Sequence, residues 1–383
     1  MPIARPVESA SQDYSLARLV LYFLKLGTIG FGGPIALAGY MQKDLVEDRH
    51  WISQQEYVDG LAFSQLHPGP LAAQLAMYLG YVRSGILGAT LIGMVFILPS
   101  FVMVAAIGRA YVALGGTRVI AGLFYGIGAA VIAIIARSAV KLFKSTVRRD
   151  KLLWAVFLAL AVSTAVTEKE IVWLFLTGGF LIVIARTDFR SWTQRPQRPA
   201  ILCLLTSGLQ FGTSGTLFAF FLKASLFVFG SGLAIVPFLH GGVVQEHHWL
   251  TEAQFLDAVA VAMITPGPVV ITVAFIGYLV SGMWGACIAA VGVFLPVYLF
   301  VIVVGPFFRR FSHNLGLRAF VEGVTAAATG AIAGAVVVLA RRAIYDWVTA
   351  AIALITAALL FRWKIPEPFM ILAAAFVGLV AHH

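Results

Sequence analysis

Shifted against itself by 198 residues (223 − 25), the 383-residue chain matches in order: Phe23-Leu24-Lys25 meets Phe221-Leu222-Lys223, Phe31-Gly32 meets Phe229-Gly230, and Trp51 meets Trp249. Asp59 then meets Asp257, and Pro68-Gly69-Pro70 meets Pro266-Gly267-Pro268. After a one-residue slip the register continues with Tyr81/Tyr278, Ser84-Gly85/Ser281-Gly282, Gly88-Ala89/Gly285-Ala286 and Leu98-Pro99/Leu295-Pro296. Whatever this chain folds into, it is built twice. The medium follows from composition: 60% of residues are hydrophobic and 11% charged, where a soluble domain carries roughly a quarter charged. At roughly 20 apolar residues per spanning helix, the expected class is an all-α polytopic membrane protein made of two homologous repeats. Duplications of this size in an apolar chain are a common plan of secondary transporters.

In the first repeat, apolar stretches run over about 16–30, 71–82, 86–108, 119–140, 152–166 and 171–185, and the second repeats them from about 217. The polar, proline-bearing run 187–199 marks the boundary. The expected units are residues 14–190, a linker at 191–214 with a possible extra crossing in the apolar piece 201–211, and residues 215–381. If that piece crosses, the second repeat is inverted. Loop charge favours inversion: Lys141, Lys144, Arg148, Arg149 and Lys151, with Arg186, Arg190, Arg195 and Arg198, form two basic clusters that belong on the cytoplasmic side. In the second repeat the dense cluster, Arg309, Arg310 and Arg318, occupies a position whose first-repeat counterpart, around Arg109 and Arg118, is expected outside.

The net charge of +10 is scattered over short loops, which points to membrane orientation and to anions rather than to nucleic acid. Cys203 and Cys287 lie singly in apolar runs, so neither a disulfide framework nor a cysteine metal site is expected. The polar segment 1–13 has no apolar stretch ahead of a small-residue cleavage site, so no removable signal peptide is expected.

Each repeat carries two breaks. The first follows a lysine: Lys25 then Gly30-Phe31-Gly32-Gly33-Pro34, and Lys223 then Phe229-Gly230-Ser231-Gly232. The second is His67-Pro68-Gly69-Pro70 and Thr265-Pro266-Gly267-Pro268. Gly and Pro free backbone groups that a bilayer interior cannot satisfy, and a helix restarting after a break turns N–H groups and partial positive charge toward what lies there. One such break would be read as a kink or a close-packing glycine; two kinds repeated at matched positions point to an anion site between broken, re-entrant helices at the repeat interface. Segments 35–41 and 56–66 flank a polar stretch and read as half-helices.

Lys25 and Lys223 lie deep in apolar runs, where an ammonium is a functional candidate unless it snorkels or is paired. Asp59 and Asp257, each leading into a Pro-Gly-Pro break, are the expected partners, a solvated helix face being the competing reading. His67 is as compatible with structure as with substrate contact. Ser53–Glu56 and Thr251–Gln254 fit capping boxes, and Glu322 reads as a complement to its helix dipole. His247-His248 beside Glu246 read as a wet loop. Neither HExxH nor GxxxxGK[ST] occurs, so no enzyme, cofactor or metal is expected; a membrane enzyme or scaffold would leave the duplicated lysines without a purpose.

The combination FLKLGTIGFGGP (23–34), DLVEDRHWISQQEYVDGLAFSQLHPGP (44–70) and FILPS (96–100), followed by FLKASLFVFGSGLAIVPFL (221–239), HHWLTEAQFLDAV (247–259), TPGPV (265–269) and FLPVYLF (294–300), resembles the long, two-domain chromate transporter family over about 16–360. The resemblance implies export of chromate across the bacterial inner membrane, with sulfate as a competing analogue. Its FGGP motif falls on Phe31 to Pro34, with a departure to Phe229-Gly230-Ser231-Gly232 that puts equal contributions from the two halves in question. A tetrahedral dianion suits helix N-termini plus a lysine. The expected binding set is therefore Lys25, Gly32, Gly33, Pro34, His67, Pro68, Gly69, Pro70, Lys223, Gly230, Ser231, Gly232, Thr265, Pro266, Gly267 and Pro268. A sulfate or other oxyanion transporter of the same fold is the alternative. The coupling ion and the oligomeric state, a homodimer included, stay open.

Overall fold

The computed structural model describes residues 14–31, 33–114, 117–147, 150–168, 172–186, 212–226, 228, 232–308, 315–363 and 365–381. The expectations on Gly32, Gly230, Ser231, the linker and its apolar piece, and Arg309–Arg310 lie outside the described residues. All regular structure among the described residues is helical, and four apolar helices have the length to cross a bilayer: Leu71–Ala113, Ala121–Thr146, Val269–Phe307 and Leu315–Ala343.

The first repeat opens with α1 (Leu16–Ile29), whose N-terminus is capped by the Ser15 side chain and which ends at Gly30. α2 (Gly33–Met41) starts three residues later and continues as a π-helical stretch, Gln42–Asp48. α3 (Gln54–Leu66) starts at the expected capping box of Ser53 and Glu56 and runs to His67. α4 (Leu71–Ala113) begins straight after Pro70 and leaves helical geometry at Ser84 and Gly85. There it folds back on itself: a Cβ on Gly88 would lie 1.9 Å from the Gly80 carbonyl oxygen, so the two limbs touch backbone to backbone. This is why the sequence showed separate apolar runs ending near 82 and starting near 86.

The ends of these pieces locate them. Tyr14 stacks on Trp51 at 5.3 Å, Arg83 donates to the Tyr14 carbonyl at 2.7 Å, and the Arg49 guanidinium lies 4.7 Å from the Trp51 ring. The start of α1, the end of the α2 extension and the end of the first limb of α4 therefore meet at one level. Two hairpins, α1–α2 and α3–α4, share open ends there and carry their tips, one between Gly30 and Gly33 and one at 67–70, inward.

The second repeat copies the plan with α8 (Thr213–Ser225), a short helical turn Gly232–Ala234 leading into α9 (Ile235–His240), π-helical Gly241–Glu246, α10 (Glu252–Ile264) and α11 (Thr272–Leu299). α10 has the expected Thr251–Gln254 capping box, and α11 turns at Ser281 and Gly282 as α4 does at Ser84 and Gly85. Local details agree: His50 and His248 both adopt φ near +50°, at 51° and 50°, with Nδ1 against the carbonyls of Val46 (2.9 Å) and Val244 (2.8 Å).

The remaining helices form a frame. α5 (Arg118–Thr146), α6 (Lys151–Thr167) and α7 (Val172–Arg186) correspond to α12 (Leu315–Ala343), α13 (Trp347–Arg362) and α14 (Glu367–Ala381). Each long helix packs on the hairpin of the other repeat, α12 on α6 and α7, and α5 on α13 and α14. Glycines permit this: a Cβ on Gly330 would lie 2.3 Å from the Phe157 carbonyl oxygen, and one on Gly126 1.9 Å from that of Ala374. At one end Arg186 bridges Asp150 and Glu322; at the other Arg342 reaches Glu168. α6 and α12 are thus parallel. Because α5 turns into α6 within a few residues, with Phe143 edge-on to Trp154 at 4.7 Å, α5 and α12 run in opposite directions. Glu322, read from sequence as a dipole complement, is instead an ion-pair partner of Arg186, since α12 lies directly against the end of α7.

Candidate functional site

The inward tips of the two repeats meet. The Gly69 N–H donates to the Val228 carbonyl at 2.7 Å and the Gly267 N–H donates to the Gly30 carbonyl at 2.8 Å. Gly30 and Val228 are counterparts, as are Gly69 and Gly267, so this is one contact made twice in reciprocal form. Both Pro-Gly-Pro glycines adopt positive φ, 131° at Gly69 and 96° at Gly267, a region L-residues with a Cβ rarely occupy. Gly267 is also tightly enclosed: its Cβ position lies 2.0 Å from Ser100 Oγ, and that hydroxyl donates to the Pro266 carbonyl at 2.7 Å. The first breaks approach as well, a Cβ on Gly232 falling 3.3 Å from Val269 Cβ and 3.7 Å from Pro34 Cγ, while nothing lies within 4 Å of the Cβ position of Gly33.

Helix ends concentrate at this centre. The caps of α4 and of the segment starting at Val269 are Pro70 and Pro268, neither of which provides a side-chain cap. The first residues behind them, Leu71, Ala72, Ala73, Val270, Ile271 and Thr272, are buried. Helix starts leave N–H groups without intrahelical partners, so the uncapped, buried start of α4 carries partial positive charge into the junction; at the second start a 3-10 turn already uses two of these groups, the Ile271 N–H donating to the Pro268 carbonyl at 2.9 Å and the Thr272 N–H to that of Val269. His67 packs its ring between Phe63 (4.4 Å) and Phe300 (5.5 Å), with Nδ1 3.0 Å from the Phe63 carbonyl. Its counterpart Thr265 is buried and donates to the Val261 carbonyl at 3.0 Å.

The charged residues are placed differently from expectation. The buried face of α1 is Leu19, Tyr22, Phe23, Leu26 and Gly27; Lys25 is exposed on the other side, and Lys223 is likewise exposed on α8. Asp257 is buried and accepts from the Tyr111 hydroxyl at 2.7 Å, so it meets a phenol rather than Lys223. Asp59 is half-exposed and accepts from Gln55 Nε2 at 2.7 Å. Among the described residues neither lysine forms an ion pair, and the expected lysine–aspartate pairing is corrected accordingly: the lysines face outward while Asp257 turns into the packing against α4.

Three polar residues escaped the sequence reading: Gln74, Ser100 and Tyr111. Gln74 is fully buried, and its Nε2 donates to the Pro68 carbonyl at 2.6 Å. Each stands where the duplication breaks down, opposite Thr272, Val297 and Phe308, so repetition did not flag them; a lone amide in the apolar run 71–82 is the signal that could have found Gln74. A separate recess of about 570 Å³, lined by Glu168, Gln245, His248, Glu252 and Arg342, opens at the end of the frame away from Arg186.

Fold and site together define a multi-pass helical membrane protein whose two repeats bring helix breaks to a common centre. The sequence matches the Chromate transporter family over residues 17–183 and 215–379, once per repeat, and the chain belongs to that family of transporters. It is 55% identical over 377 residues to the chromate transport protein of Cupriavidus metallidurans, covering 96% of this chain and 94% of that one. It is 51% identical over 378 residues to the probable chromate transport protein of Synechococcus elongatus, covering 96% of each. The chromate transport protein of Pseudomonas aeruginosa is 30% identical, covering 87% of this chain and 83% of its own. No solved structure matches.

Proposed function

We propose that the protein exports chromate from the bacterial cytoplasm across the inner membrane, binding it at the junction of the Pro-Gly-Pro breaks. The observation that carries this reading is the reciprocal pair of hydrogen bonds, Gly69 to Val228 and Gly267 to Gly30, which brings both Pro-Gly-Pro breaks, and with them the uncapped start of α4, to one centre. Helix N-termini bind tetrahedral oxyanions through N–H groups and the dipole, and the names of the relatives supply chromate as the anion. Lys25 and Lys223, five residues before Gly30 and Val228, add positive charge to the approach.

The opposed directions of α5 and α12 fit inverted-topology repeats. With Lys141, Lys144, Lys151, Arg186 and Arg318 at one end of the frame, that end faces the cytoplasm by the positive-inside rule. The α1–α2 and α3–α4 hairpins then enter from the cytoplasm and those of the second repeat from outside, their tips forming the barrier between. Rocking of one set of hairpins against the other gives alternating access. A membrane potential negative inside favours anion export by about 2.3 kcal/mol per charge per 100 mV.

The test is uptake of chromate into everted membrane vesicles by wild type, Lys25→Ala and Lys223→Ala, with excess sulfate as competitor. Saturable uptake that falls in the lysine variants, with the proteins still inserted, is expected. Vesicles that move sulfate and no chromate would refute the assignment.

A further inference from the structure

Gln74 lies at the fourth position of α4, one turn behind the uncapped start at Pro70, and is 0% exposed. Its orientation is fixed by its neighbour: the atom 2.6 Å from the Pro68 carbonyl must be the Nε2 donor, because an oxygen there would face another acceptor. That leaves Oε1, buried and with no hydrogen-bond partner. The residue also borders the Pro-Gly-Pro tip, Nε2 lying 2.7 Å from the Cβ position of Gly69. In the second repeat the equivalent place is filled by Thr272, whose hydroxyl is satisfied by the Val269 carbonyl at 2.8 Å. The junction is therefore asymmetric: the first repeat presents buried N–H donors from 71–73 and, beside them, one unmet acceptor.

A fully deprotonated tetrahedral anion satisfies the donors and leaves the acceptor unmet. A singly protonated one satisfies both, accepting from the N–H groups and donating its O–H to Gln74. Chromate takes up a proton close to neutral pH, whereas sulfate does so only in strong acid. We propose, resting on the transport reading above, that the site selects the hydrogen-oxyanion form of its substrate, with Gln74 Oε1 accepting the substrate hydroxyl, and that this sets the preference for chromate over sulfate. A site built to hydrogen-bond a substrate hydroxyl rejects the analogue that lacks it strongly, because its own buried group is then left unpaired. The proton travels with the anion, so one negative charge is exported per chromate.

The experiment measures initial chromate uptake by everted vesicles at fixed total chromate across neutral and mildly alkaline pH, with and without sulfate. It uses wild type, Gln74→Met and Gln74→Lys. The lysine variant retains a donor for the Pro68 carbonyl and removes the acceptor, so it separates loss of recognition from local misfolding. In wild type the rate is expected to fall close to tenfold per pH unit once the dianion dominates, and sulfate to compete at least tenfold less strongly than chromate. In Gln74→Lys the pH dependence should flatten and sulfate should gain by tenfold or more. A pH-independent wild-type rate, or a Gln74→Lys variant with unchanged pH profile and sulfate rejection, would overturn the proposal and assign Oε1 to a structural water. Wild-type vesicles that take up no chromate at any pH would instead refute the transport assignment, and this inference with it.

Discussion

Replacing Gly267 by alanine should damage the junction in two separable ways. The residue adopts φ of 96°, and holding a side chain in a sparsely populated backbone region costs about 1–3 kcal/mol. The new Cβ would also lie 2.0 Å from Ser100 Oγ, an overlap that the second limb of α4 must absorb; forcing extra volume into a packed interior adds about 1–3 kcal/mol. The expected loss is about 2–6 kcal/mol. Gly85→Ala isolates the backbone part, since φ there is 58° and nothing lies within 4 Å of its Cβ position. Ser100→Ala isolates the steric part: it removes the hydroxyl that donates to the Pro266 carbonyl, a loss of about 1 kcal/mol by itself, yet in the double variant it makes room for the methyl group. The two changes should therefore combine to less than their sum, with a coupling of about 1–3 kcal/mol. Thermal unfolding of the detergent-purified proteins, followed by the monodisperse fraction after heating, measures all four variants. If Gly267→Ala loses no more than Gly85→Ala, or if Ser100→Ala simply adds its own cost, the tight contact between the second repeat's tip and α4 is wrong.

Tyr111→Phe leaves the buried Asp257 carboxyl without its 2.7 Å donor and should destabilise the protein by about 1–3 kcal/mol; adding Asp257→Leu should recover part of that loss in the same unfolding measurement. At the basic end of the frame, the Arg186 guanidinium, helped by the backbone N–H groups of Leu152 and Leu153, holds the Asp150 carboxyl below the usual carboxylate range against the opposing effect of burial. A lowered folded value means that the contribution is complete above the unfolded value of about 3.9 and is lost as pH falls through the folded one. An acid titration of thermal stability should therefore show Arg186→Gln losing less than wild type over that range, and parallel titrations would refute the bridge.

Much of the fold was legible because duplication and apolarity act at the level of whole segments. The proline and glycine breaks end helices for reasons local to the backbone, so Gly30 and the Pro-Gly-Pro turns could be placed without knowing their surroundings, whereas the Ser84-Gly85 fold-back showed only as a gap between two apolar runs. The capping boxes at Ser53 and Thr251 were equally local. The absence of lysine–aspartate pairs among the described residues was not legible because depth along a segment says nothing about azimuth: Lys25 lies one residue from buried Leu26, and a rotation of about 100° per residue separates the packed face from the open one. Asp257 was read through its repeat mate, yet the second half packs it against Tyr111 where the first half leaves Asp59 half-exposed. Gln74 and Ser100 gain their significance only from backbone carbonyls brought near by the turn at 68–70 and by the opposite repeat, at Pro68 and Pro266.

The frame and the tips are held together in different ways, and this separates what can move from what cannot. Each long helix, α5 or α12, is packed on the other repeat's hairpin through glycine contacts with the neighbouring backbone and is tied by ion pairs at the ends of α12. Sliding there would break close packing along several turns at once. The tips themselves meet through two backbone hydrogen bonds, each worth about 0.5–1.5 kcal/mol net, and through contacts at single residues such as Ser100 and Val269, while behind them α4 packs on α11. A bound anion that supplies partners to the N–H groups at the uncapped start of α4 can offset a loss of the tip hydrogen bonds, whereas it could not offset the opening of the frame. Motion between states is therefore expected in the four hairpins, with α5–α7 and α12–α14 remaining as the fixed body against which they turn.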